Sequence, residues 1–239
     1  MKPKTHVEWG SSLTAKAYDL LRHEIINCVL EPGQQIVQAQ LAQHHGMGLT
    51  PIREALQRLA HEGFLQVIPR YGYIVSPITV SDVREIYEVR TILETASVRQ
   101  AAVNALEKQL NSLYQSAHFT YLYKDRQSYT DFLAQNAEFH RSVALAAGNR
   151  RLLDLISRTL DELTRVFHLG LDLRDSAEEM RDEHIALAKA LLDRDPERAA
   201  RIVGGQIARS EQRVLEALVQ QPTCVSPDKP ILADRRLWR

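Results

Sequence analysis

Between Gln38 and Leu56 the chain has room for two helices and only a turn between them. Gln38–His45 carries a helical period, Gly46 and Gly48 interrupt it, and a second helix opens near Thr50-Pro51 and runs to Gly63. Proline suits that opening, because the N–H it lacks is unpaired in a first turn anyway. Leu41, Ala42, Ile52, Ala55, Leu56 and Leu59 fall where they pack the two helices together. Thr50, Arg53, Gln57 and Arg58 are left outward, available to a DNA major groove. Any three-helix domain contains a helix-turn-helix pair, so the period alone leaves DNA binding open.

The flanking sequence narrows the fold. A helix over about Leu13–Leu30 precedes the pair, with Ser11 or Ser12 at its cap and Ala17, Leu21, Ile25 and Val29 as its apolar stripe. Glu31-Pro32-Gly33 ends it. Phe64–Ile68 and Tyr73–Val75 read as strands around the turn-forming Pro69-Arg70-Tyr71-Gly72. A lone hairpin is marginal in water, so it must lean on the helices. Three helices and a short hairpin outline a winged helix-turn-helix.

From Thr79 onward everything reads helical, which makes the chain mainly α: a winged helix-turn-helix over 13–79, then an all-helical antiparallel bundle over 80–219. Residues 1–12 and 220–239 are expected to be flexible ends. Thr79-Val80-Ser81-Asp82 has capping-box spacing and opens a helix to about Ala105. Further helices are predicted over Leu106–Lys124, Ser128–Ala147, Arg151–Leu171, Ser176–Asp193 and Asp195–Val219. Gly148-Asn149 is a helix stop, Ser176-Ala177-Glu178-Glu179 a second capping box, and Asp195-Pro196 a cap followed by proline.

Polar side chains fall on the apolar stripes of this half. Arg90 shares a face with Val83, Ile86, Tyr87, Leu93 and Ser97. A buried arginine needs a partner, either Glu94 one turn on or an anionic effector. Asn136 and His140 lie among Phe132, Phe139, Val143 and Ala147; His184 lies among Met180, Leu187, Ala188 and Leu191; Gln206 joins Ala199, Ile202, Val203 and Val214. Singly, each reads as a satisfied core residue. Together they suggest a polar cavity inside the bundle.

Several classes are excluded. The longest apolar run, Val143–Ala147, is far too short to cross a membrane, and Met1–Ser12 lacks the apolar segment of a secretory signal. Cys28 and Cys224 match no metal or redox spacing; Cys28 reads as a buried free thiol, and a reducing cytoplasm is expected. Glu183 directly precedes His184 and Glu138 stands two residues before His140, so they point about 100° and about 160° away, which leaves no nucleophile–base pair and no enzyme signature.

The residues also resemble a family. Leu41-Ala42, Thr50-Pro51-Ile52-Arg53-Glu54-Ala55-Leu56, Leu59, Glu62-Gly63 and the Gly72 turn look like the N-terminal domain of GntR-family transcription regulators. The resemblance implies a winged helix-turn-helix that binds palindromic operators as a homodimer. Arg53 would contact a base edge or phosphate, Thr50 the backbone, and Arg70 with Gly72 would place the wing tip near the minor groove. The family usually carries Ser-Arg before Thr-Pro, where this chain has Gly48-Leu49. Leucine offers a thymine methyl only apolar contact, or packs against its own domain, so operator preference should differ from the family norm.

Residues of about 80–218 look like the FCD ligand-binding domain of the FadR subgroup, through Arg90-Thr91-Ile92-Leu93-Glu94, Asn136-Ala137-Glu138-Phe139-His140-Arg141, Gly148-Asn149, Glu183-His184-Ile185 and Asp195-Pro196-Glu197. That implies a dimerising bundle binding a small, often carboxylate effector, and in many members a divalent metal held by one Asp and three His. His140 and His184 match ligand positions; Asn136 and Gln206 replace the other two. Amides are poorer donors and the site loses a negative charge, so weak or absent metal binding is expected, with the effector read by Arg90, Asn136, His140, His184 and Gln206. The alternatives are a helical metalloprotein or metalloenzyme using His140 and His184, and a regulator that senses metal or acyl-CoA.

Thirty Lys+Arg balance thirty Asp+Glu, which argues at first against a DNA binder. The balance is uneven. Residues 1–79 hold seven basic against six acidic side chains, with five histidines, and residues 80–219 hold nineteen against twenty-two. DNA is then expected to be held by few phosphate contacts per subunit, with two subunits required.

Overall fold

The computed structural model describes residues 12–70, 72–168 and 175–220. The expected flexible ends lie outside these residues, apart from Ser12 and Gln220. The chain divides into two compact units between Pro77 and Ile78.

In the first unit α1 (Leu13–Ile26) is capped by Ser12, whose side chain accepts from Ala15 N at 3.1 Å. It ends four residues before the sequence reading places its end. Cys28 turns into the left-handed region (φ 52°), and Glu24 C=O accepts from Val29 N and Leu30 N. Leu30 is thereby buried, while Val29, expected in the stripe, is 61% exposed and Cys28 only half-buried. The helix-turn-helix follows as α2 (Gln38–His44) and α3 (Leu49–His61). The wing has three strands, not two: β1 (Gln35–Ile36), β2 (Leu65–Ile68) and β3 (Gly72–Val75), with β3 central and antiparallel to both. Gly72 has φ 95°, and an added Cβ there would meet Ile36 O at 3.4 Å, so glycine fits both the turn and the strand contact. Ala17, Leu21 and Ile25 of α1 pack on Ile52, Ala55, Leu56 and Leu59 of α3 to form an apolar core.

The second unit is built on α4 (Val80–Asn104), opened by the expected capping box of Thr79 and Asp82. The Arg194 guanidinium closes its other end, donating to Ala102 O at 3.1 Å and Ala105 O at 2.8 Å. Around α4 lie α5 (Glu107–Ser116), α6 (Arg126–Ala146), α7 (Arg150–Val166), α8 (Ala177–Leu192) and α9 (Pro196–Gln220). Asp125, Asn149 and Asp195 each accept a first-turn N–H of the helix they precede.

Two sequence readings need correction here. The helix expected over Leu106–Lys124 stops at Ser116; the chain turns at Ala117 and His118 and then runs without regular structure, with Phe119 and Tyr121 buried and Thr120 and Leu122 exposed. Phe119 and Tyr121 are drawn inward by Phe132, with ring centroids 5.4 and 4.9 Å away. α7 continues past Val166 as a π turn through His168, and the rest of the span expected to Leu171 lies outside the described residues. Ser176 makes no cap hydrogen bond, because it faces Tyr121: its backbone N–H donates to the Tyr121 hydroxyl at 3.0 Å.

Candidate functional site

Two groups of side chains stand out, one on each unit. On α3 the buried stripe leaves Leu49, Thr50, Arg53 and Gln57 together on the opposite face, all exposed. Leu49 is 57% exposed, so it does not pack into its own domain. Arg58 is exposed as well, but about 100° further round the helix from Gln57. Its guanidinium lies 3.6 Å from the Tyr18 ring centroid and pairs with Glu62 at 3.0 Å. Arg58 is thus turned away from the other four. Arg70 is exposed at the wing tip in the left-handed region (φ 71°), beside half-buried Gly72.

In the second unit α4, α6, α8 and α9 bring Arg90, Asn136, His140, His184 and Gln206 into one buried network. Arg90 is 3% exposed and donates through Nε to Glu94 Oε1 at 2.6 Å. Glu94 Oε2 lies 2.7 Å from His140 Nδ1, which donates to it because a carboxylate only accepts. Burial alone would push the Glu94 carboxyl up, but Arg90 and His140 hold it down to about 2. The other nitrogen of His140, Nε2, stands 3.4 Å from Arg90 Nη2.

His184 is fully buried and held neutral, its pKa pushed well below 6.5 by burial and then by His140. Its Nε2 lies 3.0 Å from both Asn136 Oδ1 and Gln206 Nε2. A single ring nitrogen cannot donate to the first and accept from the second. One of the two amides is therefore turned over, so that Nε2 either donates to both or accepts from both. Phe119 and Phe139 pack on the His184 ring at 4.6 and 5.0 Å. The same two rings line a groove of about 600 Å³ between α5 and α6. Sequence reading missed Phe119, whose period-two neighbours were the available signal.

These residues do not fit a resident metal. The His140 nitrogen that would face the ion faces a guanidinium, and the His184 nitrogen is committed to two amides. A cation there would need both arrangements dismantled.

Comparison with known proteins then places the chain. The FCD domain model matches residues 85–209, more than half of the chain, and the model for bacterial regulatory proteins of the gntR family matches residues 13–75. The chain belongs to the FCD-domain GntR regulators. The HTH-type transcriptional repressor RspR of Escherichia coli K12 is 26% identical over 195 residues, covering 82% of this chain and 86% of that protein. An uncharacterized HTH-type regulator of Bacillus subtilis, YdhC, is 30% identical over 151 residues, covering 60% of this chain and 65% of its own. Among solved structures, E. coli McbR/YncC shares the fold with a TM-score of 0.74 at 23% identity, covering 87% of this chain and 99% of that one.

This GntR regulator is therefore a DNA-binding transcriptional regulator, and its family and relatives are regulators rather than enzymes. Among the described residues no helix is long and apolar enough to cross a membrane.

Proposed function

We propose that this regulator is a cytoplasmic repressor that binds a palindromic operator as a homodimer and is released by a small carboxylate metabolite, without a metal. α3 enters the major groove; Thr50, Arg53 and Gln57 meet base edges or phosphates, Leu49 meets a thymine methyl, and the Arg70–Gly72 wing tip lies toward the minor groove. Arg58 steadies α3 from the side.

The observation that carries the effector reading is the Arg90–Glu94 pair. A buried guanidinium already holding a carboxylate, with the His140 ring against it and His184 packed on that ring, is a site for a second carboxylate. An incoming carboxylate takes the place of Glu94 on Arg90, with Asn136, His140, His184 and Gln206 as further contacts. It changes operator affinity to the extent that it binds the DNA-competent and released arrangements unequally.

Gel shifts on palindromic DNA from the promoter region of the protein's own gene test this. Retardation relieved by a small carboxylate is expected, with a dimeric mass by light scattering. Absence of any shift on such DNA at low salt contradicts the reading.

A further inference from the structure

Among the described residues, the one group of three His, Cys, Asp or Glu side chains with converging ligand atoms is in the DNA-binding unit. Glu24 of α1 and the adjacent His44 and His45 bring ligand atoms within 4.8 Å of one another. Neighbouring helical residues normally diverge by about 100°. Here His44 is the last residue of α2 and His45 its C-cap, so the chain has already left the helix. The two rings meet edge-on with centroids 4.7 Å apart. The His45 side chain is only 9% exposed, and its Nε2 has no hydrogen-bond partner although Glu24 Oε2 lies 3.3 Å away.

A buried imidazole nitrogen aimed at a carboxylate without bonding to it is an unfinished contact. Its spacing suits a shared ion: two ligands about 2.0–2.1 Å from a tetrahedral zinc lie about 3.3–3.4 Å apart. His44 is exposed and free to turn the remaining distance. Two histidines and one carboxylate, with solvent in the fourth position, form a ligand set that takes zinc or a similar borderline divalent ion.

We propose that Glu24, His44 and His45 form a divalent transition-metal site, and that the bound ion strengthens DNA binding. The ion ties the C-terminus of α2 to α1 immediately before the turn into α3, so it steadies the helix that reads DNA. It also adds two positive charges to a region, residues 1–79, in which basic side chains exceed acidic ones by only one.

The test uses untagged full-length protein, stripped with chelator and titrated with zinc at neutral pH, where histidines are available as ligands. One ion per chain is expected. His44→Gln and Glu24→Gln should each weaken it at least about tenfold, since loss of even an outer-shell partner costs about 10–100-fold. His118→Gln, at an exposed histidine of the second unit, should leave it unchanged. Both ligand variants replace surface-reaching groups; matching circular dichroism confirms that they fold. Zinc should also tighten binding to a mixed-sequence duplex at low salt about threefold in wild type and not in His44→Gln. No binding, or one ion per chain still bound as tightly in His44→Gln, overturns the site. Binding at the site without a change in DNA affinity overturns its regulatory role.

Discussion

The two units place their polar side chains in opposite ways. In the DNA-binding unit the helix interfaces of α1 and α3 are apolar, and Leu49, Thr50, Arg53 and Gln57 stand outside them. In the bundle the interior itself is polar: the Arg90–Glu94 ion pair, His140 and neutral His184 are all buried. An outward site is tied to folding only through the scaffold beneath it, so its residues change without loss of stability. An inward site is part of the core, where any change in pairing is felt by the fold.

That contrast is open to measurement. The largest effect is expected at Glu94. Glu94→Ala leaves Arg90 buried without its carboxylate, and loss of one partner of a buried pair costs about 3–5 kcal/mol, read as a shift in urea unfolding. A loss below about 1 kcal/mol would mean that the pair is not closed in solution. Next comes Arg53→Ala, which should weaken operator binding by about 1–3 kcal/mol in gel shifts while urea unfolding stays within about 0.5 kcal/mol of wild type. Unfolding at lower urea would remove Arg53 from the purely outward class.

A smaller effect follows from His184. Its pKa in the folded chain lies below the 6.5 of an ordinary histidine, so on acidification the unfolded chain takes up this proton first. Stability then falls as pH drops below about 6.5, by at most about 1.4 kcal/mol per pH unit from this group. Melting temperatures between about pH 7.5 and 5.5 should show that slope, and His184→Gln should flatten it. The smallest effect is at a helix start: Asp195→Ala should cost about 1 kcal/mol in urea unfolding, because Asp195 accepts from Arg198 N. No loss would mean that this cap is not formed in solution.

The outward site was largely legible in the sequence, because a helix with one apolar face declares the other; only the side-stacking of Arg58 on Tyr18 needed the structure. The inward site was half legible. Period placed Arg90, Asn136, His140, His184 and Gln206 on inward faces, and four-residue spacing paired Arg90 with Glu94. That His140 reaches Glu94 from another helix is a fact of packing, which no spacing encodes. Elsewhere, β1 is two residues long, too short for any period to register. Phe119 and Tyr121 alternate within a polar stretch that reads as helix, and α1 ends at a cysteine in a conformation its side chain does not announce.

The central claim is that the buried arginine is the effector's anchor. Its most direct test is a thermal-shift screen of small carboxylates on wild type and on an Arg90→Met, Glu94→Gln variant, which removes both charges and leaves none buried alone. A carboxylate that raises the melting temperature of wild type and leaves the variant unmoved is the expected result. The same stabilisation in both proteins would contradict the account and take Arg90 out of the site.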